Sequence, residues 1–274
     1  MNTVAEEMAQ DQLSEWVHRF RFYRNPPDRG RIQAWLDQFE QQHRGLAERL
    51  LDIIQVVSDQ DVLVGYRDFL RNADGWDINE AHRRGRWYFV GFGGSGESGP
   101  HMVRLFREAN VLNATKFDSL FVHLRDLPSL GLTAEDTVIF IDDIAGSGDQ
   151  ACRLWPTIQE LIASEAKAVL LLTAVTYRSE ARISSKTELV IACRDNLGTE
   201  CDLFHDDCTA FDRDEKSVIE GYCKKADKSN PRGYGNCGLF YVLAHKTPNN
   251  CLPIIHAHNK NWGGILPRYT PLPD

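Results

Sequence analysis

Two adjacent acids at the end of an apolar run are the residues of this sequence best suited to chemistry. Asp142 and Asp143 directly follow the apolar residues 138–141, and a loop of small residues, 145–148, comes next. A carboxylate accepts hydrogen bonds from sugar hydroxyls, whereas backbone N–H groups of small residues beside a helix N-terminus favour a phosphate. The pattern therefore predicts a buried strand that ends in a ribose-phosphate site. An ordinary strand end with an Asp-capped turn is the alternative.

A second loop that could hold phosphate lies upstream. Residues 87–90 form a β-prone run and lead into residues 91–99, where glycine occupies five of nine positions. A helical stripe follows at residues 102–109. Glycine permits positive φ and a close approach of backbone to ligand, so strand, glycine loop and helix together can bind an anion. A flexible surface turn would account for such a loop equally well.

Alternating strand and helix patterns predict the elements that position these loops. Residues 87–91, 138–142 and 168–175 are predicted strands, and 117–124 and 189–193 are further candidates. The run at 168–175 is almost entirely apolar, which is typical of a parallel strand covered on both faces. We therefore expect an α/β fold, with a mostly parallel sheet and helices on both faces. Pro156 lies inside the helical stripe after the acid pair and predicts a kink or a restart of that helix.

The start of the chain has a different pattern. Successive apolar stripes at helical spacing run through residues 1–75, and a loop at residues 72–75 ends them. We expect a helical N-terminal subdomain over residues 1–78 and a main domain over residues 79–274. Stripes this apolar should contact the rest of the protein or a partner.

Composition narrows the class of protein. The net charge of −8 argues against a generally basic nucleic-acid binder. No apolar run approaches the ~20 residues of a membrane-spanning helix, and the acidic N-terminus lacks the apolar core of a signal peptide, so a cytoplasmic protein is expected. Seven cysteines without a C-x-x-C pair predict free thiols. Zinc ligation is the alternative, by Cys201, His205, Cys208 and Cys223.

Residues 138–150, VIFIDDIAGSGDQ, resemble the ribose-phosphate signature of type I phosphoribosyltransferases. The resemblance implies that Asp142 and Asp143 are catalytic and face the ribose hydroxyls, with Mg²⁺ near them but no side chain assigned as its ligand. It implies a phosphate cradle at Ala145, Gly146, Ser147, Gly148, Asp149 and Gln150. It implies a pyrophosphate loop at Gly93, Gly94, Ser95, Gly96, Glu97 and Ser98. Candidate substrate contacts are Arg125, Tyr177, Arg178 and Arg268.

The end of the chain extends the resemblance. Residues 233–240, GYGNCGLF, precede a tail with TPNN, LP, Trp262 and LPR, and together they resemble the end of a phosphoribosyltransferase-like domain of bacterial conflict systems. Some members accompany retron reverse transcriptases in anti-phage defence. The resemblance spans about residues 86–269. It implies a toxic effector that binds phosphoribosyl pyrophosphate, a nucleotide or a nucleic-acid end, and cleaves or transfers at ribose C1. A defence complex with a reverse transcriptase and its nucleic acid is the implied partner; no membrane is implied.

Departures from metabolic phosphoribosyltransferases favour a changed substrate. Residues 91–99 contain no Lys or Arg, and Gly146 stands where purine-salvage members carry an acid that serves as base. Asp149 would repel a phosphate by ~1 kcal/mol or more, and Gln150 replaces the usual hydroxyl. A catalytically silent module that senses a nucleotide is therefore an alternative to the enzyme. A third possibility is an interaction subunit that docks through residues 1–75.

Overall fold

The elements of the protein are taken from a computed structural model, which describes residues 2–94, 97–162 and 165–269, with side chains from residue 11 onward. The strands are β1 (Gln55–Val57), β2 (Trp87–Gly91), β3 (Thr137–Ala145), β4 (Lys167–Thr176), β5 (Val190–Leu197), β6 (Tyr241–Leu243), β7 (His258–Asn259) and β8 (Trp262–Gly263). The α-helices are α1 (Asn2–Arg19), α2 (Arg29–Leu36), α3 (Arg44–Ile53), α4 (Asp59–Arg71), α5 (Gly99–Ala109), α6 (Asp149–Leu161), α7 (Tyr177–Lys186), α8 (Arg213–Ala226) and α9 (Pro253–His256).

The chain divides into two compact units. The first combines Met1–Asp59 with Gly198–Asp274, and the second is Gln60–Leu197. The predicted domain boundary between residues 78 and 79 stays a prediction. Among the described residues, no helix combines the length and apolarity that crossing a membrane would require.

A four-stranded parallel sheet forms the centre of the second unit. Its order is β2-β3-β4-β5, and Val138 lies opposite Tyr88 on one side and Ala168 on the other. The strands predicted at residues 87–91, 138–142 and 168–175 are confirmed. Almost all of β4 is buried, as expected of a central parallel strand covered on both faces. Their carboxyl ends therefore lie along one edge, where the acid pair and the glycine loop begin.

Helices cover both faces of this sheet. On one face, Val138 and Phe140 belong to a core with Trp155 and Ile158 of α6 and Ile183 of α7. The alternate residues of the strands point to the other face. There the Phe89 ring lies 4.6 Å from the ring of Phe106 on α5, which in turn lies 5.7 Å from that of Tyr66 on α4. The predicted α/β architecture, with helices on both faces, is confirmed.

One local expectation was wrong, and a second was wrong in part. Residues 117–124 do not form a strand: 3-10 turns occupy Thr115–Leu120 and Leu124–Leu130, with a single bridge from Phe121 to Phe89. The apolar run there is too short, between polar neighbours, to support a longer ladder. The helix after the acid pair also does not restart at Pro156. It continues as α6, because burial of Trp155 and Ile158 offsets the one backbone bond that proline removes.

In the first unit, the N-terminal helices share a core with the C-terminal tail. The indole N–H groups of Trp35 and Trp262 both donate to the carbonyl oxygen of Ile254, at 2.8 and 2.9 Å. The ring of Phe39 packs edge-on against Trp262 at 5.3 Å. β1 pairs in parallel with β6, which the sequence did not indicate. The predicted helices over residues 1–75 are confirmed, and within the first unit Trp35 and Phe39 pack against residues of the tail.

Candidate functional site

The acid pair lies near the carboxyl end of β3, and its two members differ in environment. Asp142 is 3% exposed, whereas Asp143 is half-buried. The Ser98 hydroxyl donates to Asp142 Oδ1 at 2.5 Å, and the backbone N–H of Asp143 donates to the same oxygen at 2.9 Å. Burial raises the pKa of Asp142 well above its usual range, and the charge of Asp143 raises it further, against these two hydrogen bonds. Asp143 is therefore the acid more accessible to a ligand.

A buried tyrosine supports the backbone beneath the acid pair. Tyr66 on α4 donates its hydroxyl to the carbonyl oxygen of Asp142 at 3.2 Å and is 1% exposed. Burial raises the pKa of Tyr66 well above its usual range. Sequence reasoning missed this contact, because Tyr66 lies on a helical stripe with Leu63 and Leu70 and is typical of a core residue there.

The loop that follows the acid pair is held from behind by the next strand and helix. Gly148 caps α6 with φ +74°, a left-handed conformation that favours glycine. The Thr176 hydroxyl donates to the carbonyl oxygen of Gly146 at 2.6 Å and accepts from the backbone N–H of Ser179 at 3.2 Å. The loop is thereby fixed at the N-terminus of α6, where N–H groups and the helix dipole favour an anion. No pattern in the sequence marks Thr176 or Ser179 as a residue that contacts this loop.

The acid inside this loop is paired with a cation. Asp149 Oδ1 lies 2.6 Å from Nη2 of Arg182 on α7, and the Ser147 hydroxyl donates to Asp149 Oδ2 at 2.9 Å. The two charged side chains are 37% and 40% exposed, so solvent screens the pair. The repulsion expected between Asp149 and a phosphate is reduced accordingly.

The glycine loop after β2 meets the phosphate loop through one carboxylate. Glu97 Oε2 accepts from the backbone N–H of Gly94 at 2.8 Å and from Nε2 of Gln150 at 2.9 Å. Gly93 has φ +89°, a conformation that favours glycine, and a Cβ there would lie 1.9 Å from Glu97 Oε2 and displace that side chain. Predicted loop residues Ser95 and Gly96 lie outside the described residues. The structure thus brings together the described parts of both predicted loops and the acid pair.

The four candidate substrate contacts have different surroundings. Arg125 lies 3.6 Å from Asp126 and lines a cavity of about 740 Å³ with Gly93 and Gly94. Arg178 Nε donates to the Tyr177 hydroxyl at 2.5 Å, at the start of α7. Arg268 belongs to the first unit, where its guanidinium donates to the carbonyl oxygen of Thr247 at 3.1 Å. Their roles toward a substrate stay predictions.

A parallel sheet flanked by helices, with an acid pair, a loop of small residues and a glycine loop at its strand ends, is the arrangement of phosphoribosyltransferase-like proteins. The family model PRTase-CE matches residues 32–268, and the chain belongs to this family. The match begins well before residue 86, where the resemblance found in the sequence starts, and so includes most of α2 and all of α3 and α4. A search of curated proteins found no match to this chain.

Proposed function

We propose that this protein binds a ribose 5-phosphate compound at the carboxyl ends of β2 and β3 and makes or breaks a bond at ribose C1. The hydrogen bond between Ser98 and Asp142 is the observation that carries the proposal, because it joins the glycine loop to the acid pair. The loop at residues 146–150, which the Thr176 hydroxyl holds, would complete the site: this loop for the phosphate, the acid pair for the ribose and the glycine loop for the leaving group. The family match supports the same chemistry.

Each part of the site suits one part of such a ligand. The backbone N–H groups of residues 146–150 would hold the 5-phosphate. Half-buried Asp143 would accept hydrogen bonds from the ribose hydroxyls and supply negative charge beneath the ring, while Asp142 would hold the glycine loop in place through Ser98. As the bond from C1 to the leaving oxygen breaks, positive charge develops on the ribose, and aimed carboxylates stabilise it. A base nitrogen or a water molecule would take the place of the leaving group.

The donor groups fit Mg²⁺, a hard cation that prefers carboxylate and phosphate oxygens. Asp142 and Asp143 supply carboxylates, whereas residues 91–99 supply no Lys or Arg against the charge of a diphosphate. When bound, Mg²⁺ would act as a Lewis acid that neutralises the leaving group. Asp143 is the side chain better placed to hold it, because Asp142 is buried and already bonded to Ser98.

The resemblance of the tail to conflict-system proteins supports a role in anti-phage defence, as a cytoplasmic effector with a retron reverse transcriptase as partner. Co-expression with the genes beside it tests this role. Phage protection that requires both the acid pair and a neighbouring reverse transcriptase is the expected result. Protection that is unchanged by loss of either one would contradict it.

The biochemical test uses the purified full chain with phosphoribosyl pyrophosphate, with and without Mg²⁺. We expect a Mg²⁺-dependent rise in melting temperature, because a ligand that binds only the folded state stabilises it. We also expect release of pyrophosphate. The variant Asp142→Asn/Asp143→Asn is the control and should show neither. Wild-type protein that shows neither effect at millimolar ligand would rule out the proposal.

A nucleotide sensor without turnover is the second candidate. It is favoured by Glu97, whose carboxylate contacts donors that a diphosphate would use, and by Gly146, which cannot act as a base. Such a protein would gain thermal stability from the ligand but release no pyrophosphate. The same pair of measurements therefore separates the two candidates.

A further inference from the structure

A cavity of about 740 Å³ lies beside the glycine loop, at the free edge of the sheet. The chain pairs with β2 at Phe121, and the cavity lies among β2, α5 and residues 121–125. Its volume falls within the range of about 300–1,000 Å³ that is usual for small-molecule sites. Gly93 and Gly94 line it, so it is continuous with the loop assigned to a diphosphate.

The lining combines apolar surface with positive charge. Val103, Phe121 and Leu124 are half-buried. The cations are Arg107 and Arg125, which lie 2.6 Å from Asp118 and 3.6 Å from Asp126. Among the described residues that line the cavity, none is acidic. A site with an apolar wall and cations at its margin suits a ligand that joins a ring system to an anion.

Arg107, on α5, contacts an aromatic residue of the cavity wall. Its guanidinium lies 4.4 Å from the centroid of the Phe121 ring, and Nη2 of Arg107 lies 2.6 Å from Asp118. The Nε of Arg107 is buried without a hydrogen-bond partner, which is costly for a charged group. Because 26% of the Arg107 side chain is exposed, a planar ring beside Phe121 can place a polar edge against its guanidinium.

We propose that this cavity binds the nucleoside part of a nucleoside diphosphate, whose phosphates lie at the glycine loop. This rests on the proposed function, because it takes the glycine loop to be the diphosphate site. The proposal names the substrate class. The diphosphate bonded to ribose C1 would carry a nucleoside on its other phosphate, rather than end as free pyrophosphate. The shared residues Gly93 and Gly94 set the order, with phosphates at the loop and the ring against Val103 and Phe121.

Titration calorimetry on the full chain tests the proposal with inorganic pyrophosphate and ADP, each with Mg²⁺. We expect ADP to bind at least ten-fold more tightly than pyrophosphate. The variant Val103→Trp fills the cavity and should bring ADP affinity down to that of pyrophosphate, while pyrophosphate affinity stays within two-fold. Val190→Trp is the matched control, since Val190 is 52% exposed on β5, at the opposite edge of the sheet. It should leave both affinities unchanged.

A second filling variant protects the test against misfolding of the first. His123 is exposed at the cavity, so His123→Trp should fold and should also bring the affinity ratio of ADP to pyrophosphate close to one. His82→Trp, at a site with a 67% exposed side chain, is its control. Equal affinities of the wild-type protein for ADP and pyrophosphate would overturn this inference alone. Failure to bind pyrophosphate, phosphoribosyl pyrophosphate and ADP would overturn both the inference and the proposed function.

Discussion

The loops after β2 and β3 were both predicted to bind phosphate, but the acid in each loop has a different kind of partner. In the loop after β3, Asp149 is paired with Arg182 and lies beside Ser147. In the loop after β2, Glu97 is held by neutral donors, the N–H of Gly94 and the side chain of Gln150. The loop after β3 therefore has an acid paired with a cation and a backbone held by the Thr176 hydroxyl. In the loop after β2, the Glu97 carboxylate occupies hydrogen-bond donors that a bound diphosphate would need.

From this difference we expect the two halves of the proposed ligand to bind at different energetic cost. In the proposed complex, the loop after β3 is already held in place for the phosphate, so binding there would cost little rearrangement. On the diphosphate side, the ligand must displace Glu97 or bring a cation that Glu97 can share. We therefore expect charge changes at the two loops to have opposite effects on affinity.

The largest loss of activity should come from changing the acid pair, which lies between β3 and its loop and also bonds the glycine loop through Ser98. Asp142→Asn/Asp143→Asn removes the charge that an oxocarbenium-like state and Mg²⁺ both require, at a cost of ~3–4 kcal/mol in transition-state stabilisation. The asparagine oxygen at position 142 can still accept from Ser98 and from the N–H of residue 143, so the fold should persist. Pyrophosphate release and a thermal melt measure the two consequences. A folded variant with full activity would show that the acid pair only ends the strand.

The next prediction concerns an acid outside both loops, and it tests whether a change there leaves ligand binding at the loops unaffected. Asp136 precedes β3 and is 2% exposed. Burial alone would raise its pKa, but hydrogen bonds from Arg86 and Thr133 outweigh burial and hold the pKa at about 2. Asp136→Asn should lower the free energy of unfolding by ~2–3 kcal/mol, because charge-assisted bonds are lost. Ligand affinity at both loops should stay unchanged while the variant is folded, as calorimetry on wild type and variant would show.

The same residue sets a pH dependence. The folded pKa of Asp136 is lowered, so its contribution to stability is present above its unfolded value of ~3.9 and is lost as pH falls toward 2. Wild-type protein should lose this stability between about pH 4 and pH 2. Asp136→Asn should lack that part of the loss. Parallel acid melts of the two proteins check this, and identical curves would contradict the assignment.

The sequence predicted the parts of the site that depend on local pattern. The apolar run before Asp142 and the glycines at 93 and 148 have signals within a few residues, so strand, acids and loops could be found. Partners distant in sequence could not: Arg182 lies 33 positions from Asp149, and nothing in α7 marks it as the cation of that loop. The shared core of α2 and the tail likewise depends on contacts across more than 200 positions, such as Trp35 with Ile254.

At the phosphate loop, removing the cation should weaken binding. Arg182→Leu leaves Asp149 uncompensated near the phosphate, and the repulsion should cost ~1 kcal/mol, or about five-fold in the affinity for ribose 5-phosphate. Asp149→Asn added to this variant should restore the affinity, because the repelling charge is gone. Lys186→Leu, which removes a cation at the other end of α7, is the control. Loss of affinity that Asp149→Asn does not rescue would mean that Arg182 contacts the ligand directly.

At the glycine loop, removing the acid should have the opposite and smallest effect. Glu97→Gln keeps an oxygen that can accept from the N–H of Gly94 but removes the negative charge, so a diphosphate would meet less repulsion. Glu97 is exposed and solvent screens it, so we expect a gain of ~0.5–1 kcal/mol, or about two- to five-fold tighter binding of pyrophosphate. Glu108→Gln, the same change at an exposed position near the end of α5, should leave affinity unchanged. Weaker pyrophosphate binding in Glu97→Gln would mean that Glu97 helps to hold a cation for the ligand, and the contrast between the two loops would then be one of metal use rather than of repulsion.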